Sequence, residues 1–333
     1  MRWKTALTIA AVGTMLLPRP GHADEPLTLQ LNWLPRAQHA GYLMAQAKGH
    51  FRAEGLSVIL KPGGPAVAPV QVIAAGGADI IIESLPTALA ARAAGLPLVN
   101  VAQPFAVSGW WLVCRSDSGI SGAEPDLRGH TIGVWPNGSE VPLRLWLQSR
   151  GISADGGADG VTLLAQDVGI AQLQDKRASC ISAMSHDEVI QLAEAGIPDD
   201  ALVSFRLDGP LLPDGLYVLD HALGDPQMRD RLVRFVRAAM RGWRDVRQNP
   251  EAAVDVLQAH GAGMIDEELL SDAQQRRRLD AVLPLLSDEA GRLDDDAFRR
   301  AVPASSRSAN HAAATGGDAA EAFTHAITDA ARN

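Results

Sequence analysis

Short apolar runs of strand length alternate with stretches of helical periodicity along most of this chain, and no other feature constrains its fold as tightly. Runs at residues 27–31, 56–60, 79–82 and 98–101 are separated by helical stretches at 39–54, 67–75 and 86–94. A strand, a helix and a second strand in the same direction need a crossover over the face of the sheet, so the rhythm calls for a largely parallel sheet covered by helices. Gly55 and Gly95 stand where a left-handed residue would end a helix. A second series follows Gly129, with strands expected at 131–135, 161–164, 179–184 and 201–206 and helices at 139–150, 169–174 and 187–195. With 333 residues the chain can build two such units. The expected class is α/β: two lobes, each a mostly parallel sheet flanked by helices, joined by two hinge crossings near 103–116 and 207–215. In open parallel sheets ligands sit beyond the carboxyl ends of the strands, so two facing lobes would share one cleft.

Beyond residues 216–219 the pattern turns helical, at 225–247, 250–260 and 266–286, with a loop expected at 303–318 and a last helix at 319–331. The first of these helices carries Arg229, Arg231, Arg234, Arg237, Arg241, Arg244 and Arg247 opposite an apolar stripe, which reads as a solvated face over a packed one. At the other end, residues 1–23 have a basic start, a short apolar run and small residues at Gly21 and Ala23. They read as a secretory signal cleaved after Ala23, and place the protein in the periplasm. The expected organisation is a signal peptide at 1–23, one lobe from 24–104 with 216–333, and the other lobe from 105–215.

A formal charge of −9 argues against a nucleic-acid partner, since nucleic-acid binders present basic surfaces. Neither G-x-S-x-G, H-E-x-x-H, a phosphate-cradling glycine loop nor a dinucleotide turn is present, so the expectation is a protein with no catalytic residues, cofactor or metal. The two cysteines, Cys114 and Cys180, lie in or beside expected strands; a disulfide and a pair of buried thiols are both open.

Leaving the first strand, the chain reads Trp33, Pro35, Arg36, His39, Gly41; further on come Lys48-Gly49-His50-Phe51, Ala74-Ala75-Gly76-Gly77-Ala78-Asp79, Asp126-Leu127-Arg128-Gly129 and Asp214-Gly215-Leu216-Tyr217. On these segments the chain resembles the periplasmic solute-binding proteins of ABC importers, in the branch that groups thiamine-pyrimidine-precursor, alkanesulfonate, taurine and nitrate binders. Arg36 stands where that branch has Asn. The resemblance implies the bilobal type II periplasmic-binding-protein fold, a small-molecule ligand, and as partners the transmembrane subunits of an ABC permease with a cytoplasmic ATPase. It implies a pyrimidine or related heteroaromatic ligand, with sulfonate, taurine or nitrate as the alternative; nothing in the sequence points to an obligate oligomer, and a monomer is expected. Fungal thiamine-pyrimidine synthases share the fold, and His39 resembles their motif histidine, but the chain lacks their cysteine-rich iron motif. A periplasmic sensor module is a further alternative.

Candidate ligand contacts follow from the strand ends. Trp33 either stacks on a heteroaromatic ring or packs beneath the first helix. His39 either bonds a ligand or caps that helix, and Arg36 favours an anionic group if it points inward. In the second lobe the matching turn holds Asn137, Gly138, Ser139 and Glu140; Ser139 is the expected N-cap, and the Glu140 carboxylate suits ring amino groups. Other candidates are Glu83, Ser84, Gln103, Phe105, Trp110, Ser185, His186 and Asp187.

Overall fold

The computed structural model describes residues 25–122, 124–207, 212–261, 270–287, 291–306 and 321–332. The expected signal peptide at 1–23 lies outside the described residues. Among the described residues ten strands form: β1 (Glu25–Gln30), β2 (Leu56–Lys61), β3 (Ile80–Glu83), β4 (Leu98–Ala102), β5 (Trp110–Arg115), β6 (Thr131–Val134), β7 (Thr162–Ala165), β8 (Cys180–Met184), β9 (Leu202–Arg206) and β10 (Gly215–Leu219). They make two five-stranded sheets, ordered β2-β1-β3-β10-β4 and β7-β6-β8-β5-β9.

Each sheet is mixed, because one of its five strands is reversed. In the first sheet β10 runs antiparallel to both β3 and β4; in the second β5 runs antiparallel to both β8 and β9. The reversed strands are the ones that follow the two crossings. Residues 110–115, expected within the first crossing, are β5. A continuous apolar run such as Trp110-Trp111-Leu112-Val113-Cys114 carries no period that sets it apart from a buried connection. Reversal has a consequence for the site: the amino ends of β5 and β10 lie at the same edge as the carboxyl ends of their parallel neighbours.

Cys114 and Cys180 face each other across β5 and β8 and are joined in a disulfide, which ties the reversed strand to its neighbour. The expected helix at 39–54 is divided into a 3-10 turn at Ala37–His39 and helices Ala40–Ala47 and His50–Ala53, with Gly49 left-handed at φ 73° between the last two. A helix at Asp295–Ser306 was not legible in the pattern, and the expected loop at 303–318 falls mostly outside the described residues.

The first sheet packs on the helix Pro226–Gln248, whose Phe235, Val236 and Trp243 meet Leu29, Tyr42 and Phe51 in one buried cluster. That contact is close enough to require two glycines. A Cβ on Gly242 would lie 2.0 Å from the Gly41 carbonyl oxygen, and one on Gly41 would lie 2.2 Å from the Trp243 ring. The arginine face of this helix is less solvated than its pattern implies. Arg231 donates to the Pro26 carbonyl, Arg234 to that of Glu54, and Arg237 pairs with the Glu54 carboxylate at 3.0 Å.

Candidate functional site

Between the sheets lies a cavity of about 100 Å³ whose walls come from both. Asn32 and Trp33 follow β1, Glu83 ends β3, Trp135 follows β6 and Met184 ends β8, so the parallel strands deliver residues at their carboxyl ends. Ser108 and Trp110 lead into reversed β5 and Asp214 into reversed β10, completing the wall from the same edges. Three indoles frame the space: Trp135 lies 5.9 Å from Trp33, edge to face, and 5.7 Å from Trp110, tilted by 45°. Such rings offer large apolar faces to a planar guest.

The polar part of the lining is acidic. Burial pushes Glu83 up to about 8, with Asp214 and Glu140 adding repulsion, while the Ser84 N–H donates to its Oε1 at 2.8 Å. Asp214 is pushed up to about 6 by burial, against the hydrogen bond it accepts from Asn32 Nδ2 at 2.7 Å. Burial and then the neighbouring Asp187 carry Glu188 to about 8, although it accepts the Met184 N–H at 3.0 Å. Asp187 behaves differently. Burial opposes its charge, but Arg36 and other partners outweigh that and hold it below the usual carboxylate range. It is paired with Arg36 and, at 3.2 Å, with Arg278 Nε, and accepts from Gln191 at 2.9 Å. Among the described residues lining the cavity there is no lysine or arginine.

Several lining side chains carry buried polar atoms with no partner within the protein: Trp110 Nε1, Trp135 Nε1, Gln38 Oε1 and His186 Nδ1. Buried polar atoms are seldom left without a partner. Burial lowers His186 to about 4, so its ring is neutral at physiological pH.

Of the residues singled out in the sequence, Trp33, Glu83, Ser84, Trp110, Ser139, His186 and Asp187 line the cavity. The others stand behind it. Arg36 is committed to Asp187. His39 is buried and pushed down to about 3 by that burial; its Nδ1 lies 3.1 Å from the Leu34 carbonyl oxygen and its Nε2 3.0 Å from Asn32 Oδ1, and Asn32 in turn donates to Asp214. It positions a lining residue rather than capping a helix, and the cap positions at Arg36 and His39 carry no side-chain cap bond. Gln103 donates to the Phe105 carbonyl at 2.9 Å and to that of Pro213, bracing the two crossings, and Phe105 packs on Trp243. The turn at Asn137–Glu140 bridges the sheets: Asn137 donates to the Pro65 carbonyl, and the Gly138 carbonyl accepts from Thr87 Oγ1 at 2.8 Å. Glu140, not Ser139, occupies the cap position of helix Val141–Ser149, and its carboxylate turns back to accept the Gly138 N–H at 2.8 Å. Ser185 sits against Gly109, where a Cβ would come within 2.7 Å of its hydroxyl.

Asn32, Gln38, Ser108, Trp135, Glu188 and Asp214 are lining residues that the sequence did not single out. Asn32 and Trp135 follow strands just as Trp33 does, so the strand-end rule reaches them. Ser108 and Asp214 need knowledge of which strands are reversed.

The model of the family described as NMT1/THI5 like matches residues 36–253, which hold the described lining residues except Asn32 and Trp33. The chain belongs to the NMT1/THI5-like family. Relatives of this NMT1/THI5-like chain include the riboflavin-binding protein RibY of Chloroflexus aurantiacus, 26% identical over 80% of this chain and 74% of the relative. The formylaminopyrimidine-binding protein of Halalkalibacterium halodurans is 26% identical over 71% of this chain and 70% of its own. Among solved structures, the periplasmic aliphatic sulphonate binding protein SsuA of Escherichia coli superposes with a TM-score of 0.56 at 16% identity, covering 84% of this chain and 85% of that one. The fold of this NMT1/THI5-like protein is therefore that of the periplasmic binding proteins.

Proposed function

We propose that this protein is the extracytoplasmic substrate-binding component of an ABC importer, and that it captures a neutral or cationic heteroaromatic amine of the pyrimidine type for delivery to a membrane permease. The observation that carries this reading is the lining: three tryptophans with carboxyl groups, and no cation among the described lining residues. Indole faces match a planar ring, and buried carboxyls match ring amino groups. The names of the riboflavin-binding and formylaminopyrimidine-binding relatives support a nitrogen heterocycle. At about 100 Å³ the cavity favours a small ligand over one of three fused rings. A sulfonate or nitrate is disfavoured, because the guanidinium groups of Arg36 and Arg278 behind the lining already hold Asp187.

Lobes of 24–104 with 216–333 and of 105–215 would close on the ligand by rotation at the crossings, since the cavity is lined by residues of both, Trp33 and Glu83 from one and Trp110 and Trp135 from the other. The disulfide supports export through the signal at 1–23, because such bonds persist in oxidising compartments. It also weighs against the synthase alternative: Cys114 and Cys180 are bonded to each other, so neither offers a thiolate to iron. Calorimetric titration of residues 24–333 with 4-aminopyrimidines, taurine, alkanesulfonates and nitrate tests the reading. An aminopyrimidine is expected to bind, and Trp33→Ala to weaken it by about two- to tenfold, as loss of a stacking contact of about 0.5–1.5 kcal/mol implies. Binding of sulfonates or nitrate alone would refute it.

A further inference from the structure

Asp187 stands between the cavity and two buried arginines. It lines the space, whereas Arg36 and Arg278 do not. Arg36 comes from the segment after β1, and Arg278 from the helix Asp272–Val282, beyond the family-matched residues 36–253. Both reach across to the first residue before helix Glu188–Glu194, on the other side of the cleft. Arg36 holds Oδ2 of Asp187; Arg278 Nε and Gln191 Nε2 hold Oδ1 at 3.2 and 2.9 Å. Arg278 also bonds Glu194 Oε2 at 3.2 Å. All three residues at the centre are buried: Arg278 is 2% exposed, Asp187 4% and Arg36 9%.

We propose that Asp187 is the specificity-determining residue that closes this cavity to anions. Its carboxylate, as part of the chain, occupies the place where an anionic ligand would otherwise meet the guanidinium groups of Arg36 and Arg278. A planar carboxylate held from both oxygens by guanidinium and amide donors is the arrangement in which arginine recognises formate, nitrate or a sulfonate. Truncating Asp187 removes the built-in anion and leaves a recess of carboxylate size, beside the cavity and against both arginines. The inference shares its cavity and the Arg36–Asp187 pair with the reading above and refines the ligand class, adding Arg278 as the second guanidinium on the same carboxylate.

The test is an unfolding-midpoint titration of wild type and Asp187→Ala with formate, nitrate and methanesulfonate at constant ionic strength. The wild-type midpoint should not move. That of Asp187→Ala should rise by about 5 °C at a hundredfold excess over the dissociation constant. Adding Arg278→Gln should abolish the rise. Folding of Asp187→Ala only when one of the anions is present would equally support the proposal. It is overturned if no anion stabilises or restores Asp187→Ala, if wild type responds as strongly, or if the double variant keeps the response. Absence of aminopyrimidine binding to wild type would refute the preceding reading and leave this outcome untouched.

Discussion

Replacing Glu83 by Gln should remove a pH dependence of stability that the fold builds into the cavity wall. Burial raises the Glu83 carboxyl from the ordinary 4.5 to about 8, so the folded state binds its proton more tightly than the unfolded chain does. Below 4.5 both states are protonated and the group has no effect. As pH rises between these values, the unfolded chain ionises and the folded state does not, so wild-type stability falls by about 1.4 kcal/mol per pH unit. Above about 8 both are ionised and the loss levels off. The amide in Glu83→Gln does not titrate, and its oxygen can still accept the Ser84 N–H that Glu83 accepts at 2.8 Å. Between about pH 5 and about pH 7 the variant should therefore gain about 3 kcal/mol relative to wild type. Asp214, raised to about 6, and Glu188, raised to about 8, titrate in both proteins and largely cancel in the difference. Urea unfolding followed by tryptophan fluorescence at the two pH values measures it. Parallel profiles for the two proteins would mean that Glu83 is ionised in the folded state, and the argument from burial would fail.

Two predictions concern the frame. Replacing both Cys114 and Cys180 by Ala opens a loop closed across 66 residues and should cost about 4 kcal/mol in denaturant unfolding under oxidising conditions, and nothing beyond that of the wild type under reducing ones. Gly41→Ala puts a methyl group 2.2 Å from the Trp243 ring and should destabilise by about 1–3 kcal/mol or more, whereas Gly76→Ala, with nothing within 4 Å, should show only the strain of its φ of 71°. Equal losses at the two glycines in thermal unfolding would contradict the close helix crossing.

The alternation of apolar runs and helical stretches sufficed to place most of the strands within a residue or two, for example 56–60 against Leu56–Lys61. Local spacing carries that information because period 2 and period 3.6 bury different faces. Strand ends were legible by the same means, and Trp33, Glu83, Ser84 and Asp187 were found from them. A period has no direction, however. Nothing in Leu216-Tyr217-Val218-Leu219 tells that this run pairs antiparallel between β3 and β4, and it is that pairing which brings Asp214 to the cavity. Asn32 reaches Asp214 across 182 residues, and Arg278 reaches Asp187 across 91. Charge pairing over such separations leaves no local trace, so the sequence showed Arg36 as a cation beside a turn and did not single out Arg278. Folding decided that both face one buried carboxylate, because a charge taken out of water must meet its partner wherever the chain supplies one.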